Sequence, residues 1–416
     1  MSNATTQHAA LTATAVDAAA ERIYDLVRKT PLEYSDRLSK RYNARIYLKR
    51  EDQQVVRSYK LRGAYNLMKG LSDEERSRGA VTASAGNHAQ GVALAAAKLG
   101  IKTAIFVPAG TPPQKVSRIR HFGGTWTDVH LTGSTFDDAL EAALEYTEET
   151  GGVFVHPFDD PRVIAGQGTI GLELVAQVPD LEAVLVPVGG GGLAAGIGVA
   201  VKAGKPGAEV IGVQADEIAA MKAAWASGER LTVPPGPTIA DGIAVRRAGE
   251  HTLALCRRWV DQIVSVSEEE IANAILLLLE IEKTVVEGAG AVPLAALVNK
   301  KVALAGKTVA LVLTGGNIDV NLVSRIIERG LVKDGRLVRL AVMLRDRPGQ
   351  LARLTALVAE MRANVLHILH DRAFSRARLG ETEVELTLET SGREQIEAVK
   401  RHLTGAGYAV HEIVRS

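Results

Sequence analysis

Residues 183–193 read AVLVPVGGGGL, an apolar run that leads directly into four consecutive glycines. The run is continuously apolar rather than alternating, which predicts a parallel strand buried on both faces. Glycines let the backbone approach an anion closely, and the helix predicted after residue 193 would direct its first N–H groups at negative charge. The candidate phosphate-binding residues are therefore Gly189, Gly190, Gly191, Gly192 and Leu193.

Similar apolar runs recur between about residues 45 and 320, separated by Ala-rich stretches with helical character. We predict strands at residues 45–48, 103–107, 183–188, 209–213 and 308–313. Repetition of strand, loop and helix predicts an α/β fold built on open parallel sheets. Such sheets bind ligands at the carboxyl ends of their strands, so the loops at Gly86, Gly189 and Gly315 are candidates for one shared site.

The pattern changes after a polar turn at residues 333–336. Alternation predicts strands, and helical spacing predicts helices, in the order βαββαβ that is typical of a ferredoxin-like unit. The strands are expected near 338–344, 363–370, 383–388 and 408–414, and the helices near 351–361 and 396–403. We therefore expect a flexible tail at 1–20, a large domain at 21–332 and a small domain at 336–416.

Composition excludes several classes of function. The chain has 416 residues and a net charge of +1, which does not favour a nucleic-acid or acidic-membrane partner. Its longest apolar run, residues 275–279, is too short to cross a bilayer. Cys256 is the only cysteine, so no internal disulfide can form, and its helix-like apolar setting favours packing over a nucleophilic role. A cytoplasmic location is expected.

Lys60 lies in the string SYKLRGA at residues 58–64 and offers an amine that could form an imine with an aldehyde. A single lysine is usually a solvated surface charge, and an imine-forming one must be desolvated or lie near other cations. Arg57 and Arg62 are close in sequence, although the sequence does not place them in space. A cofactor that carries both an aldehyde and a phosphate would need both Lys60 and the glycine loop.

Residues 82–91 read TASAGNHAQG and run from a predicted strand end into a helix start. Their hydroxyl, amide and backbone N–H groups suit a carboxylate ligand. An ordinary helix cap by Ser84 or Asn87 stays an alternative, as does a packed role for His88. Thr314, which follows the last strand of the large domain, offers a hydroxyl that could bind a ligand.

Together these four strings resemble the pyridoxal-phosphate enzymes of the tryptophan-synthase-β fold, and among them the threonine/serine dehydratases, over roughly residues 20–330. The C-terminal part resembles an ACT domain, an amino-acid-binding regulatory module, with its opening signature DRPGQL at residues 346–351. The resemblance implies a two-lobed catalytic domain of open parallel sheets, followed by a ferredoxin-like ACT domain.

The resemblance also implies a role for each matching residue. Lys60 would hold pyridoxal phosphate as an imine, the loop 189–193 would bind its phosphate, and Asn87 would contact the ring hydroxyl. Thr314 would face the ring nitrogen, where a neutral hydroxyl makes the ring a weaker electron sink than a carboxylate would. The substrate carboxylate would be held by Ser84, Ala85, Gly86, Asn87 and His88.

The implied reaction is the deaminating dehydration of L-threonine to 2-oxobutyrate and ammonia, and of L-serine to pyruvate. Lys60, released from the imine by the substrate amine, would take the α-proton as a base. The implied setting is the first step of isoleucine synthesis. The implied partners are the amino-acid substrate, an amino-acid effector at the ACT domain and further copies of the chain in a homotetramer.

Two departures from related sequences bear on this interpretation. Ala85 stands where similar serine racemases carry a second serine that acts as an acid–base group, which favours elimination over racemisation. Gln214 and Ala220 stand where metal-binding relatives carry acids, so we expect no divalent metal site. A dehydratase or racemase acting on serine or 3-hydroxyaspartate nevertheless stays an alternative.

Two further alternatives belong to other classes. Gly189, Gly191 and Ala194 match the spacing of a dinucleotide fingerprint, which leaves an NAD-dependent oxidoreductase open. The acid that usually ends the next strand in that fingerprint is missing, because Gln214 holds its position. A non-catalytic amino-acid sensor that kept the fold is the other alternative, and the intact Lys60 and Asn87 disfavour it.

Overall fold

The computed structural model describes residues 11–371 and 378–413. The chain divides into two compact units, a larger one that ends at Ile318 and a smaller one that begins at Asp319. We expected the boundary at residues 333–336, but the helix Val320–Lys333 belongs to the smaller unit because it packs on the first strand of that unit. The predicted strand end at Val414 lies outside the described residues.

The larger unit contains two sheets. In the six-stranded sheet, in the order β1-β2-β10-β7-β8-β9, all neighbours are parallel except β1 and β2. The four-stranded sheet, in the order β5-β4-β3-β6, is parallel throughout. The strands are β1 Leu32–Tyr34, β2 Arg45–Arg50, β3 Ala80–Ala83, β4 Thr103–Val107, β5 Thr127–Leu131, β6 Val153–Phe154, β7 Ala183–Pro187, β8 Glu209–Ala215, β9 Gln262–Val266 and β10 Thr308–Leu313.

Helices connect and cover these strands. They are α1 Ala13–Ile23, α2 Asp36–Tyr42, α3 Lys60–Lys69, α4 Asp73–Arg78, α5 Asn87–Leu99, α6 Pro113–Gly123, α7 Phe136–Thr150, α8 Pro161–Gln177, α9 Gly192–Gly204, α10 Ala220–Ser227, α11 Glu250–Trp259, α12 Glu268–Ile281 and α13 Gly288–Val298. Local sequence explains several of their starts: α7 and α12 begin with capping boxes, in which Thr135 pairs with Asp138 and Ser267 with Glu270.

The predicted α/β fold with two lobes of parallel sheet is confirmed. All five strands predicted from apolar runs are present, and every residue of β4, β7 and β10 is buried, as expected for strands covered on both faces. Helices α8 and α9 pack closely against each other because Gly196 has no side chain. A Cβ there would lie 2.4 Å from the carbonyl oxygen of Ile164.

The flexible tail expected at residues 1–20 is wrong for its second half. Residues 13–20 belong to α1, whose Val16 and Ala19 are fully buried. With Ile23 they form one apolar face that packs against α8, and the Ala-rich composition concealed that helical period. The first ten residues of the expected tail lie outside the described part of the chain.

The smaller unit has the predicted βαββαβ order after its first helix. Its sheet, in the order β12-β13-β11-β14, is antiparallel throughout, which is the strand order of a ferredoxin-like fold. The alternating residues Val338, Leu340, Val342 and Leu344 are buried, as predicted. The elements are α14 Val320–Lys333, β11 Leu337–Arg345, α15 Gln350–Glu360, β12 Asn364–Asp371, β13 Glu381–Glu389, α16 Arg393–Gly405 and β14 Ala409–Glu412.

No helix in the described part of the chain combines the length and the apolar composition that a membrane span requires. Cys256 is fully buried in α11, where its Sγ contacts the carbonyl oxygen of Gly191 at 3.6 Å. Burial raises the pKa of its thiol to about 12, so the side chain packs as a neutral group.

Candidate active site

Lys60 is the first residue of α3 and is half-buried. Its Nζ donates a hydrogen bond to the carbonyl oxygen of Pro157 at 2.8 Å. Burial lowers the pKa of this amine to about 8, and the nearby charge of Glu287 only partly opposes the shift. Lys60 is therefore the desolvated lysine that its sequence alone could not establish, and about a tenth of it is unprotonated at pH 7.

Backbone contacts hold Lys60 beside the end of β10. The N–H of Tyr59 donates to the carbonyl oxygen of Thr314 at 3.1 Å, and Ser58 forms an isolated bridge with Gly315. Thr314 itself is buried, and its Oγ1 has no hydrogen-bond partner among the described residues. A buried hydroxyl without a partner is unfavourable in the protein alone, so this atom is available to a ligand.

The glycine loop connects β7 to α9 and packs against the segment that holds Lys60. A Cβ on Gly190 would lie 2.4 Å from the ring of Phe158, which follows Pro157 directly. Gly191 has a φ of +95° and would place a Cβ 2.4 Å from Met221 Cε. Only glycine fits both positions. The first N–H groups of α9 have no hydrogen-bond acceptor within the helix. The loop thus has the space and the donors for an anion.

The segment from Ser84 to His88 follows β3 and includes the first two residues of α5. The N–H of Gly86 donates to Ser84 Oγ at 3.2 Å, and a Cβ on Gly86 would meet nothing within 4 Å, so the loop borders open space at the start of α5. His88 is buried, with Nε2 2.8 Å from the carbonyl oxygen of Val155. Burial, with the charge of Lys60, lowers the pKa of His88 to about 3, so it is neutral and packed.

Asn87 contacts two residues that are distant in sequence. Its Nδ2 donates to Glu287 Oε1 at 2.7 Å, and its Oδ1 accepts from Asn317 Nδ2 at 2.7 Å. Glu287 is buried at the start of α13, and its backbone N–H donates to the carbonyl oxygen of Gly315 at 3.0 Å. Glu287 therefore joins the loop at residues 84–88 to the segment at residues 314–317.

These positions fit pyridoxal phosphate, the cofactor that the resemblance implies. The group needs an amine for its aldehyde, a cradle for its phosphate and polar partners for its ring. Lys60, the tightly packed Gly190 and Gly191, and the unpartnered Thr314 hydroxyl provide these features. Within residues 11–371 and 378–413, His, Cys, Asp and Glu side chains form no group of three or more that could hold a metal ion.

Sequence analysis missed Glu287, Asn317 and Phe158 as site residues. Glu287 gave the clearest signal, because it is the only charged residue in the otherwise apolar run at 285–298. An acid in such a run is either paired or functional, since burying a lone charge is costly. Phe158 gave no signal, because its contact with Gly190 depends on how two loops pack.

A sequence profile of the family described as pyridoxal-phosphate dependent enzyme matches residues 23–315. The chain is 50% identical to an L-threonine ammonia-lyase of Thermotoga maritima over 93% of this chain and 95% of the relative. It is 48% identical to an L-threonine ammonia-lyase of Geobacter sulfurreducens over 95% of this chain and 98% of the relative.

A solved structure agrees with the sequence comparisons. The processed form of threonine deaminase isoform 2 from Solanum lycopersicum superimposes with a TM-score of 0.72 and is 40% identical. The match covers 76% of this chain and 92% of the solved one.

Proposed function

The chain belongs to the pyridoxal-phosphate dependent enzymes, and we infer from this membership and from its threonine ammonia-lyase relatives that it deaminates L-threonine to 2-oxobutyrate and ammonia. The single observation that supports a catalytic site on this chain is the position of Lys60. Its half-buried amine donates to Pro157, which lies in the segment packed on the glycine loop. The backbone of the adjacent Tyr59 donates to Thr314, whose hydroxyl has no partner among the described residues.

We propose that Lys60 Nζ attaches the cofactor aldehyde and later takes the α-proton of the substrate. A pKa near 8 suits both roles, because the amine is unprotonated often enough to attack and basic enough to accept a proton. When it is bound, pyridoxal phosphate supplies the electron sink that makes the α-proton acidic. The carbonyl oxygen of Pro157, 2.8 Å away, holds the amine in place.

The remaining predicted residues orient the ligands. Backbone N–H groups of residues 189–193 hold the phosphate, and the loop 84–88 holds the substrate carboxylate at the start of α5. Thr314 Oγ1 contacts the ring nitrogen as a neutral partner, which favours prompt loss of the β-hydroxyl. Ala85 has no proton to donate, which supports elimination over racemisation. L-Serine is the proposed second substrate, with pyruvate as its product.

The test is release of 2-oxobutyrate from L-threonine by the purified, cofactor-loaded protein and by its Lys60→Ala variant. We expect release by the wild type and its loss in the variant. Lys40→Ala is the matched control, because Lys40 lies on the surface in an exposed ion pair with Asp36. Wild-type protein that binds the cofactor but releases no 2-oxobutyrate would contradict the proposed substrate. Full activity in Lys60→Ala would contradict the proposed role of Lys60.

We further propose that the smaller unit is an ACT domain that binds an amino-acid effector and regulates the rate. Its DRPGQL signature and its ferredoxin-like sheet support this assignment. Rates measured with each amino acid, for the full chain and for a chain that ends at Ile318, test it. We expect an effect of at least one amino acid on the full chain that is absent from the shortened one. Equal responses of both chains would contradict the proposal.

Three further statements complete the proposal. The chain assembles as a homotetramer, which sedimentation velocity of the purified protein tests. It acts in the cytoplasm, which its single, buried cysteine supports. Its product enters isoleucine synthesis, which rescue of an isoleucine-requiring strain by the wild type but not by Lys60→Ala tests.

A further inference from the structure

We propose that Glu287 is a positioning residue of this site: as a carboxylate it holds the amide of Asn87 in the orientation that Asn317 defines, and thereby positions the N–H group that Asn87 offers to the cofactor. The inference rests on the proposed function, because it takes Asn87 to be a cofactor contact. No sequence motif assigned a role to Glu287. Glu287 is buried, carries an ionisable carboxyl and contacts Asn87, a proposed site residue.

The direction of the hydrogen bonds around Asn87 is fixed by two groups, one of which can only accept and the other only donate. The carbonyl oxygen of Val56 can only accept, so the atom of Asn317 that contacts it at 2.9 Å is the amide nitrogen. The guanidinium of Arg118 can only donate, and it contacts Asn317 Oδ1 at 3.1 Å. Both contacts define the same orientation of the Asn317 amide.

That orientation defines the next amide in turn. Asn317 Nδ2 donates to Asn87 Oδ1, so Asn87 must direct its nitrogen at Glu287. Rotating the Asn87 amide by half a turn would bring two NH₂ groups face to face. One of the two N–H groups of Asn87 is used by Glu287, and the other is left for a ligand.

Glu287 is therefore surrounded by donors. Its carboxylate accepts from Asn87 Nδ2 at 2.7 Å and from the backbone N–H of Asn317. An ionised carboxylate satisfies both donors, whereas a protonated one adds an O–H to a group that needs acceptors. Ionisation of Glu287 therefore strengthens the hydrogen bond that it accepts from Asn87, whose amide orientation Asn317 defines.

The charge of this carboxyl can change near neutral pH. Burial raises the pKa of Glu287 to about 7, although the hydrogen bond from Asn87 lowers it. Two groups on other elements face it: Asp241, in the turn 241–243, raises its pKa, and Lys115 on α6 lowers it. These two form an ion pair with each other at 3.0 Å.

Two ionisable groups at the start of α3 face the same carboxyl. The charge of Glu287 raises the pKa of the Lys60 amine and, after burial, that of the Tyr59 hydroxyl. Ionisation of Glu287 consequently favours the protonated form of the nitrogen on Lys60. Glu287 therefore acts on two proposed cofactor contacts. It acts on Asn87 through a hydrogen bond and on Lys60 through its charge.

The test is the visible absorbance of the cofactor-loaded protein as a function of pH, for the wild type and for Glu287→Gln. Glutamine can still accept from Asn87 through its amide oxygen but cannot ionise. We expect a transition near pH 7 in the wild type that Glu287→Gln lacks. Glu145→Gln on α7, an exposed glutamate, is the matched control and should keep the transition. A wild type without the transition, or a Glu287→Gln variant that retains it, would overturn the inference.

Asp241→Asn gives a second, directional readout that does not alter Glu287 itself. Removing this like charge and freeing Lys115 should lower the pH of the transition by about 0.3 unit at low ionic strength. A transition that does not move, or that moves upward, would overturn the inference even where Glu287→Gln fails to fold. Neither result affects the proposed function, which fails only through 2-oxobutyrate release and the Lys60→Ala variant.

Discussion

Lys60 and Arg62 lie two residues apart in α3, yet their side chains have opposite surroundings. Arg62 is fully buried and donates to Glu51, Thr169 and Glu173, at 2.7 to 2.9 Å. Lys60 is half-buried and donates to one carbonyl oxygen. Within one helical turn, Arg62 uses most of its hydrogen-bond donors, whereas Lys60 uses only one.

The same contrast holds for the carboxylates around them. Lys49, Glu51, Arg62 and Glu173 form a cluster of two positive and two negative charges that ties β2 and the turn after it to α3 and α8. Burial alone would raise the pKa of Glu51, but the charge and hydrogen bonds of Arg62 outweigh it and the pKa is lowered. Among the described residues, no ion pair involves Glu287, and burial raises its pKa.

The difference distinguishes a structural use of buried charge from a functional one. In the buried charge cluster, every ion has a counter-ion, so the cluster fixes the position of α3. In the site, no described ion pair involves Lys60 or Glu287, so each can change protonation, and the Thr314 hydroxyl has no partner among the described residues, so it can bind a ligand. The buried charge cluster thus holds α3, and α3 carries Lys60 of the site.

The largest effect expected from this contrast is on the rate of Lys60→Ala. We expect 2-oxobutyrate release to fall by about 10⁴-fold, because nucleophile and base are lost together. The unfolding free energy of the cofactor-free protein should change by no more than about 1 kcal/mol, since the lost amine was poorly solvated and had a single partner. Chemical denaturation of the cofactor-free proteins measures the unfolding free energy. A large loss of stability in Lys60→Ala would show that Lys60, like Arg62, has a structural role.

Arg62→Met should have the converse effect on stability. Removing this cation leaves Glu51 and Glu173 buried without their main counter-ion, which should cost about 3–5 kcal/mol of unfolding free energy. Arg37→Met, at an exposed position in α2, is the control and should change it by less than about 0.5 kcal/mol. Denaturant titration measures both, and a neutral Arg62→Met would show that the cluster does not fix α3.

The third prediction concerns pH, where Glu287 and Glu51 should act with opposite sign. The pKa of Glu287 is raised from 4.5 to about 7, so its contribution to stability is fully present below pH 4.5 and is lost as pH rises to 7. The wild type should lose up to about 3 kcal/mol over this range relative to Glu287→Gln. The pKa of Glu51 is lowered, so its contribution is present above pH 4.5 and is lost at more acidic pH.

Unfolding free energies of the cofactor-free wild type, Glu287→Gln and Glu51→Gln at several pH values test this prediction. The stability difference between wild type and Glu287→Gln should decrease with pH, and that for Glu51→Gln should increase. Parallel curves for the two variants would contradict the proposed division between structural and functional carboxylates.

The smallest effect is expected at Thr314. Thr314→Val removes a buried hydroxyl that has no partner in the described residues, so the cofactor-free protein should be unchanged or more stable by about 1 kcal/mol. Affinity for pyridoxal phosphate should fall about tenfold, because one hydrogen bond to the ring is lost. Thr314→Ser keeps the hydroxyl and should bind as the wild type does. Equal affinity of Thr314→Val and wild type in a fluorescence titration would exclude contact of this hydroxyl with the ring.

Several features of this protein follow from local sequence alone. Continuous apolar runs predicted β4, β7 and β10 because a strand buried on both faces needs apolar residues at every position. Alternation predicted β11 and β13, and the βαββαβ order then defined the ferredoxin-like sheet. The glycine loop was also visible, since four glycines between a strand and a helix have few other uses.

The state of each site residue was decided only by the tertiary structure. Asn87 and Glu287 are 200 residues apart, and Asn87 and Asn317 are 230 apart, so no local pattern records their contacts. The pKa of Lys60 depends on its burial in the folded chain and on the charge of Glu287, which is distant in sequence. Sequence specifies which residues favour a strand, a turn or a buried face, because those preferences are local. Protonation and hydrogen-bond direction depend on neighbours in space, which exist only after the chain has folded.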